Sequence, residues 1–426
     1  MSRKARWTLL FYMNSDNNGL QTYALEAFKA LAKWGSTPDV HLVAQIDRGA
    51  GGDTGAGTWN HARRFHIEQA MPPHRHYALP GFGGPVNMGD GAALADFVRW
   101  GRDAYPSDRT ALIIWGHGVG YVIIPRLLEE TFDLYCQQEA RLNRSPLDAL
   151  NNPTLLHTAG YDGTADDPLF LREIEDALSG EGIDLIGFDA CLMATVEAAY
   201  AQRRVAPIMI ASEDVESSAG WSYDWIEHLQ QEGNAEWSVG EVAADIIGVN
   251  CRRLPRRGRP SAEPTIQSLS AINVSLVDAL ASSIDTFVQT AKDIGADARR
   301  AILRARGLCQ NFGIGAPIPP PRLVDLIHFC ERLIDDSGGG NLADAARSVR
   351  GKASAVVLGY FASDSLAARP LGARGLSIYF PETYSVMTAD GYIDSYLGNV
   401  PGTGVRFSEE HRWLELLLWL FEGQMQ

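Results

Sequence analysis

An α/β fold, a mostly parallel sheet covered by helices, is what this sequence predicts, and three observations carry the prediction. Short β-branched or apolar runs closed by Gly, Asn, Asp or Ser alternate with longer amphipathic stretches. The order is βαβ-like throughout the first half, which calls for parallel strands joined by helical crossovers. A chain of 426 residues, 46% apolar and 21% charged, can also bury a core large enough for one big domain plus a second region.

The first strand is read at residues 7–13, where an apolar run from Trp7 to Met13 meets polar Asn14, Ser15 and Asp16. A helix is expected at 22–34, a strand at 40–46, a helix at 92–104 and a strand at 111–115. A helix at 169–178, a strand at 183–188, a helix at 192–203 and a strand at 207–211 continue the pattern. The glycine-rich stretch 49–57 holds no Gly-Lys-Ser/Thr and opens no helix, so it reads as a loop rather than a phosphate cradle. Residues 122–167 lose sheet periodicity and carry Asn143, Pro146, Asn151, Asn152, Pro153, Gly160 and Gly163, the marks of a long surface insertion.

A boundary is expected at 252–264, where Arg252, Arg253, Arg256, Arg257 and Arg259 are interspersed with prolines as in an exposed linker. It separates an α/β domain at 1–251 from a region at 265–426 that packs on it. That region is mainly helical (275–291, 296–306, 322–334, 342–352 and a closing helix at 409–421) and adds strands at 353–360 and 375–380. Neither internal repeats nor low-complexity tracts are visible.

Composition removes several function classes. No run approaches the ~20 apolar residues of a membrane helix. A formal net charge of −15 argues against generic nucleic-acid binding, which needs clustered positive charge. The five cysteines, Cys136, Cys191, Cys251, Cys309 and Cys330, are odd in number and contain no CxxC pair, against both a disulfide framework and a zinc site. The histidines other than His117 lack metal-ligand spacing. Arg3, Lys4 and Arg6 near the start are followed by no long apolar core or small-residue cleavage site, so a cytoplasmic location is expected.

Two residues stand where open α/β sheets place their sites, beyond the carboxyl ends of buried strands. One is His117, in Gly116-His117-Gly118; the other is Cys191, after Asp189-Ala190. A thiol becomes a nucleophile near neutral pH when a base or positive charge stands beside it, and an imidazole suits that task. Gly118 permits close backbone approach. Its N–H, with that of Cys191 at the expected helix start, could hold a developing oxyanion. Each residue alone also reads as structure: free Cys is among the most buried residue types, and a His after a strand is often a turn residue.

Five segments in order resemble the clostripain family of cysteine peptidases, of one clan with caspases, legumains, gingipains and separases. They are Phe11-Tyr12-Met13-Asn14 with Asp16-Asn17-Asn18; Trp115-Gly116-His117-Gly118; Phe188-Asp189-Ala190-Cys191-Leu192-Met193; Ala211-Ser212-Glu213-Asp214 with Gly220-Trp221-Ser222-Tyr223; and Gly375-Leu376-Ser377-Ile378-Tyr379-Phe380-Pro381. The resemblance implies a caspase-like sheet and a catalytic dyad of Cys191 and His117, with Gly118 and Cys191 N–H serving the oxyanion. In this clan the histidine chiefly protonates the departing amine. Asn14 or Asp16 could orient the imidazole; each also reads as a turn or cap residue.

The acid matching Asp189 lines the pocket for a basic P1 side chain in clostripain-like enzymes, which implies cleavage after Arg and also Lys. A buried carboxylate meets a guanidinium with two charge-assisted hydrogen bonds; the bland alternative for Asp189 is a cap for the helix expected near Cys191. Ser212 and Trp221 are read as one wall of the substrate groove, and Glu213 or Asp214 as a second acid or surface charge. Family members are often zymogens cut between the His and Cys strands, where Arg126, Arg141 and Arg144 are cleavage candidates, and an upstream protease could cut the 252–259 loop. The dyad requires no cofactor. Calcium dependence occurs in the family, yet no D-x-D-x-D-G loop closed by Glu is present. The expected partners are proteins or peptides with Arg or Lys at P1. Two other readings stand beside this one: an inactive caspase-like interaction scaffold, and a thiol amidase or acyl transferase acting on a small substrate.

Overall fold

The computed structural model describes residues 4–16, 20–49, 59, 61–118, 120, 167–216, 220–253, 268–312, 322–363, 372–389, 394, 396, 399 and 403–424. Eight strands form one sheet in the order β3-β2-β1-β4-β5-β6-β7-β9. They are β1 (Ala5–Ser15), β2 (Val40–Arg48), β3 (Arg63–His66), β4 (Ser107–Trp115), β5 (Leu185–Asp189), β6 (Ile208–Ala211), β7 (Ser268–Asn273) and β9 (Val357–Ala362). Strands β2, β1, β4, β5 and β6 run parallel, while β3 and β7 are antiparallel to their neighbours.

The central strands are apolar on consecutive residues because both faces are covered. In β1, Leu9, Leu10, Phe11, Tyr12 and Met13 are all fully buried. Alternation along the strand sends Leu10 and Tyr12 into one core with Phe97, Val98, Ile174 and Phe188. Leu9, Phe11 and Met13 enter the other core, with Phe28, Leu31, Trp115, Trp225 and Ile246. Short polar side chains start the covering helices. Asp90 accepts from the Ala92 N–H at 2.7 Å before Gly91–Ala104, and Ser238 with Glu241 closes a reciprocal cap before Val239–Arg252.

The strands and helices expected in the first half are present to within a few residues, with one exception that matters for chemistry. The helix expected from 192 begins at Val196, capped by Thr195, whose hydroxyl accepts from the Ala198 N–H at 2.9 Å. Further on, the helix expected at 322–334 begins as a strand, β8 (Leu323–Asp325), and Asp325 then caps Leu326–Ser337. The strand expected from 353 starts at Val357, since Asn341–Val356 stays helical. The closing helix is two pieces, Arg406–Glu410 and Trp413–Phe421, broken where Asp285 accepts from the Arg412 N–H at 2.8 Å.

The region beyond 252 does more than pack on the first domain, because β7 and β9 extend the same sheet. A second sheet pairs β8 with β10 (Ser377–Tyr379) antiparallel, and Ser377 bridges to Thr195 beside the Cys191 loop. Among the described residues no helix is long and apolar enough to cross a membrane.

Candidate active site

Strands β4 and β5 pair in register through Trp115 and Asp189, and the Gly116 N–H donates to the Asp189 carbonyl at 3.2 Å. His117 and Cys191 each lie two residues beyond that pair. Adjacent strand ends, spaced by ~4.8 Å, therefore bring the two segments that carry these residues to the same edge of the sheet. Gly118 then runs against the Cys191 backbone: a methyl group on it would sit 2.5 Å from the Cys191 carbonyl oxygen and 2.8 Å from Ala190 Cβ.

Cys191 does not open a helix, so the contribution of a helix N-terminus to its N–H falls away. It sits instead at a turn in which Leu192 has φ +66°, a left-handed conformation costly for a branched residue. Neighbouring backbone holds the turn. Leu192 N–H donates to the Asp214 carbonyl at 3.2 Å, Ala194 N–H to that of Ser212 at 2.8 Å, and Ser377 N–H to that of Ala194 at 2.9 Å. This last contact explains why the 375–381 segment belongs with the site: it props the loop that carries the thiol.

The Cys191 side chain is buried and His117 half-buried. Glu216 N–H donates to Sγ at 3.1 Å, and the thiol faces the Glu216 carbonyl at 3.8 Å. Burial pushes the thiol's pKa far up, the Glu216 carboxylate adds to the rise, and the Glu216 N–H offsets part of it. The Glu216 main chain thus lies against the thiol from both its N–H and its carbonyl.

Asp189 is also buried, behind the turn at 220–223. Trp221 N–H donates to both its oxygens at 3.2 Å, and the Tyr223 hydroxyl donates to Oδ2 at 2.6 Å. Gly220, at φ +64°, is required there, since a Cβ would lie 2.7 Å from Asp189 Oδ1. Burial pushes Asp189 up to about 6, against the lowering effect of Tyr223 and Trp221. Thr195 caps the following helix, so the capping role considered for Asp189 is filled by another residue.

The acid that joins Asp189 is Glu216, which the sequence did not single out. Its carboxyl accepts from Trp221 Nε1 at 3.2 Å and stands against that of Asp189; burial and the Asp189 charge push it well above the usual carboxylate range. Glu213 lies elsewhere, accepting from the Gly375 N–H at 2.7 Å beside Asp325. Ser212 is fully buried and shares a 2.8 Å hydrogen bond with Ser268, so it braces the loop rather than facing a groove. The Asp214 main chain takes part in the same brace. Trp221 is 2% exposed and backs Asp189 and Glu216 from behind instead of forming an open wall. Spacing gave no warning of Glu216, because it reaches the site through a loop return from β6 and not along a strand.

The profile of the clostripain family matches residues 149–419, the part that contains Asp189, Cys191, Glu216 and the 375–381 segment. This chain belongs to the clostripain family. Clostripain of Hathewaya histolytica is 27% identical over 248 residues, 53% of this chain and 42% of that protein, so the match spans less than half of that relative's length. Two solved structures share the fold with a TM-score of 0.60. One is a secreted C11 cysteine protease from Bacteroides thetaiotaomicron in complex with an irreversible peptide inhibitor, 16% identical, covering 95% of this chain and 98% of that one. The other is an inactive zymogen C11 protease from Parabacteroides distasonis, 18% identical, covering 94% and 98%.

Of the positions that the clostripain-family resemblance marks, Arg126, Arg141 and Arg144 lie outside the described residues, as does most of the 252–264 stretch. Asn14 is buried at the end of β1, and its amide has no hydrogen-bond partner among the described residues. Among those residues, too, no cluster of three or more His, Cys, Asp or Glu side chains is arranged to hold a metal ion.

Proposed function

We propose that the chain is a cysteine endopeptidase that cleaves after Arg, and also Lys, with Cys191 as nucleophile and His117 as its acid and base. The observation that carries this reading is the shared register of β4 and β5, which sets His117, Gly118 and Cys191 at one sheet edge beside a buried acid. Cys191 Sγ gives its proton to His117 and attacks the scissile carbonyl carbon. The N–H groups of Gly118 and Cys191 receive the oxyanion. As the C–N bond breaks, His117 protonates the departing amine. Water then attacks the thioester, frees the new carboxyl terminus and restores the thiol.

Asp189 supports the choice of P1. A carboxylate in a dry pocket rejects neutral side chains, because only a cation compensates its burial. The covered thiol supports a latent form, and we read the chain as a zymogen cut at Arg126, Arg141 or Arg144 by itself or by another protease.

Matched fluorogenic peptides ending in Arg, Lys, Asp or Leu test the reading on wild type, Cys191→Ala and Asp189→Ala. The expected result is turnover of Arg, and more slowly Lys, abolished in Cys191→Ala and reduced about 100-fold or more in Asp189→Ala. Equal turnover of Leu and Arg, or activity surviving in Cys191→Ala, refutes it. A Cys191→Ala chain that is processed between 122 and 167 like wild type removes self-cleavage.

A further inference from the structure

Glu216 touches both halves of the site. Its main chain covers the nucleophile: N–H to Cys191 Sγ at 3.1 Å, and the carbonyl 3.8 Å from the same sulfur. Its side chain closes the acid pocket, with Oε1 on Trp221 Nε1 at 3.2 Å and the carboxyl against Asp189. Trp221 completes the link, since its backbone N–H holds Asp189 while its indole holds Glu216.

We propose that Glu216 couples recognition of a cationic P1 side chain to exposure of Cys191. In the closed form described here, the Asp189 and Glu216 carboxyls share one proton, and the Glu216 backbone covers the thiol. An arriving guanidinium pairs with both carboxylates in place of that proton, which leaves to solvent. Glu216 turns to meet the cation, and its N–H and carbonyl withdraw from Sγ. The proposal rests on the peptidase reading for its physiological ligand.

The physical grounds are these. Two buried carboxyls in contact cannot both ionise without a cation between them. Burial pushes Asp189 up to about 6, and burial with the Asp189 charge beside it pushes Glu216 well above the usual carboxylate range, so both carboxyls favour the protonated form where no cation stands between them. A ligand shifts a conformational equilibrium only by its difference in affinity for the two states. A guanidinium has that difference because it pairs only with the ionised, opened acids, and its planar fork spans two oxygens at once. Neutral side chains have no such difference and leave the cover in place.

The test compares wild type with Glu216→Gln, which keeps the main-chain cover, the shape and an acceptor for Trp221 but removes the charge. Two measurements are made on the full chain. The first is kcat/KM for paired peptides with Arg or its neutral isostere citrulline at P1. The second is the rate of Cys191 alkylation by iodoacetamide, read by peptide mass mapping, with and without saturating agmatine as the guanidinium probe.

The expected result is that Glu216→Gln lowers the Arg-to-citrulline preference about tenfold, through KM for the Arg peptide. In wild type, agmatine accelerates alkylation of Cys191 about tenfold; in Glu216→Gln it does not. An unchanged preference in Glu216→Gln, or agmatine that slows wild-type alkylation or leaves it unaltered, overturns the coupling while the peptidase reading stands. Agmatine-accelerated alkylation in a chain that hydrolyses no arginyl peptide even after cleavage between 122 and 167 keeps the coupling and removes the peptidase reading.

Discussion

Gly118 leaves no room for a methyl group, because its neighbour at 2.5 Å is the backbone carbonyl of Cys191, which cannot swing aside. Gly118→Ala is therefore expected to displace the Cys191 turn by some tenths of an ångström and to reduce kcat/KM about 100-fold. Circular dichroism should remain that of the folded chain. Tyr223 acts on the pocket acid in a direction that can be stated. Its hydroxyl donates to Asp189 at 2.6 Å and favours the charged form, against the burial that pushes the acid up to about 6. If Asp189 takes the P1 guanidinium as proposed, it must be ionised, and activity is expected to fall as pH drops through that value. Tyr223→Phe removes the stabilising donor, and the acid limb of kcat/KM should move to higher pH by about one unit. A limb that stays in place separates Asp189 from P1 recognition.

The loop at 190–195 shows what an element contributes. It leaves β5, carries Cys191 through the left-handed turn at Leu192, and enters its helix only at Val196 under the Thr195 cap. Thr195→Ala removes the acceptor for the Ala198 N–H and should cost about 1 kcal/mol of stability in chemical denaturation. The same substitution loosens the turn that presents the thiol, so kcat should fall more than KM changes. Sequence periodicity expected this helix from 192 because 192–203 reads as amphipathic from its first residue. What interrupts it is the set of backbone bonds from Leu192 to Asp214, from Ala194 to Ser212 and from Ser377 to Ala194, all of them tertiary. The same distinction explains Glu216. His117 and Cys191 were legible because strand ends in a parallel sheet share an edge, a local rule. Glu216 joins them through the return of a loop after β6, and its partners Asp189 and Trp221 are set by the fold as a whole.

Across the whole molecule several acids are buried with no cation paired to them among the described residues. Burial raises Glu197 from an ordinary 4.5 to about 7 and Asp325 from 3.8 to about 6, alongside Asp189. Each folded-state value exceeds its unfolded one, so between the two the native state binds more protons. Stability from these groups is thus greatest below the unfolded values and is lost as pH rises through the folded ones, here from about 4 to about 7. Glu197 lies in the first turn of the helix that follows the Cys191 loop, accepting from the Tyr379 N–H at 3.1 Å and the Tyr396 hydroxyl at 2.9 Å. Glu197→Gln retains an acceptor for both. It should flatten the decline of Tm between pH 5 and pH 8 and recover on the order of 1–3 kcal/mol at pH 8. An unchanged slope would show that Glu197 is ionised in the fold.

At this scale the sequence foretold the α/β class and the strands of its first half, since continuous apolar runs can only be buried on both faces. It placed the region beyond 252 against the first domain, whereas β7 and β9 enter the same sheet. Pairing between strands some tens of residues apart leaves no periodic mark on either strand alone.

The central claim is that Cys191 is the nucleophile of an Arg-directed site. Its most direct test is intact-mass and peptide-map analysis after incubation with an arginyl acyloxymethyl ketone, a reagent that alkylates only a thiol able to attack its carbonyl. One adduct at Cys191, lost in His117→Ala and in Asp189→Ala, is the result expected. An adduct on Cys251, Cys309 or Cys330 in its place, or equal labelling by the leucyl analogue, would contradict the account.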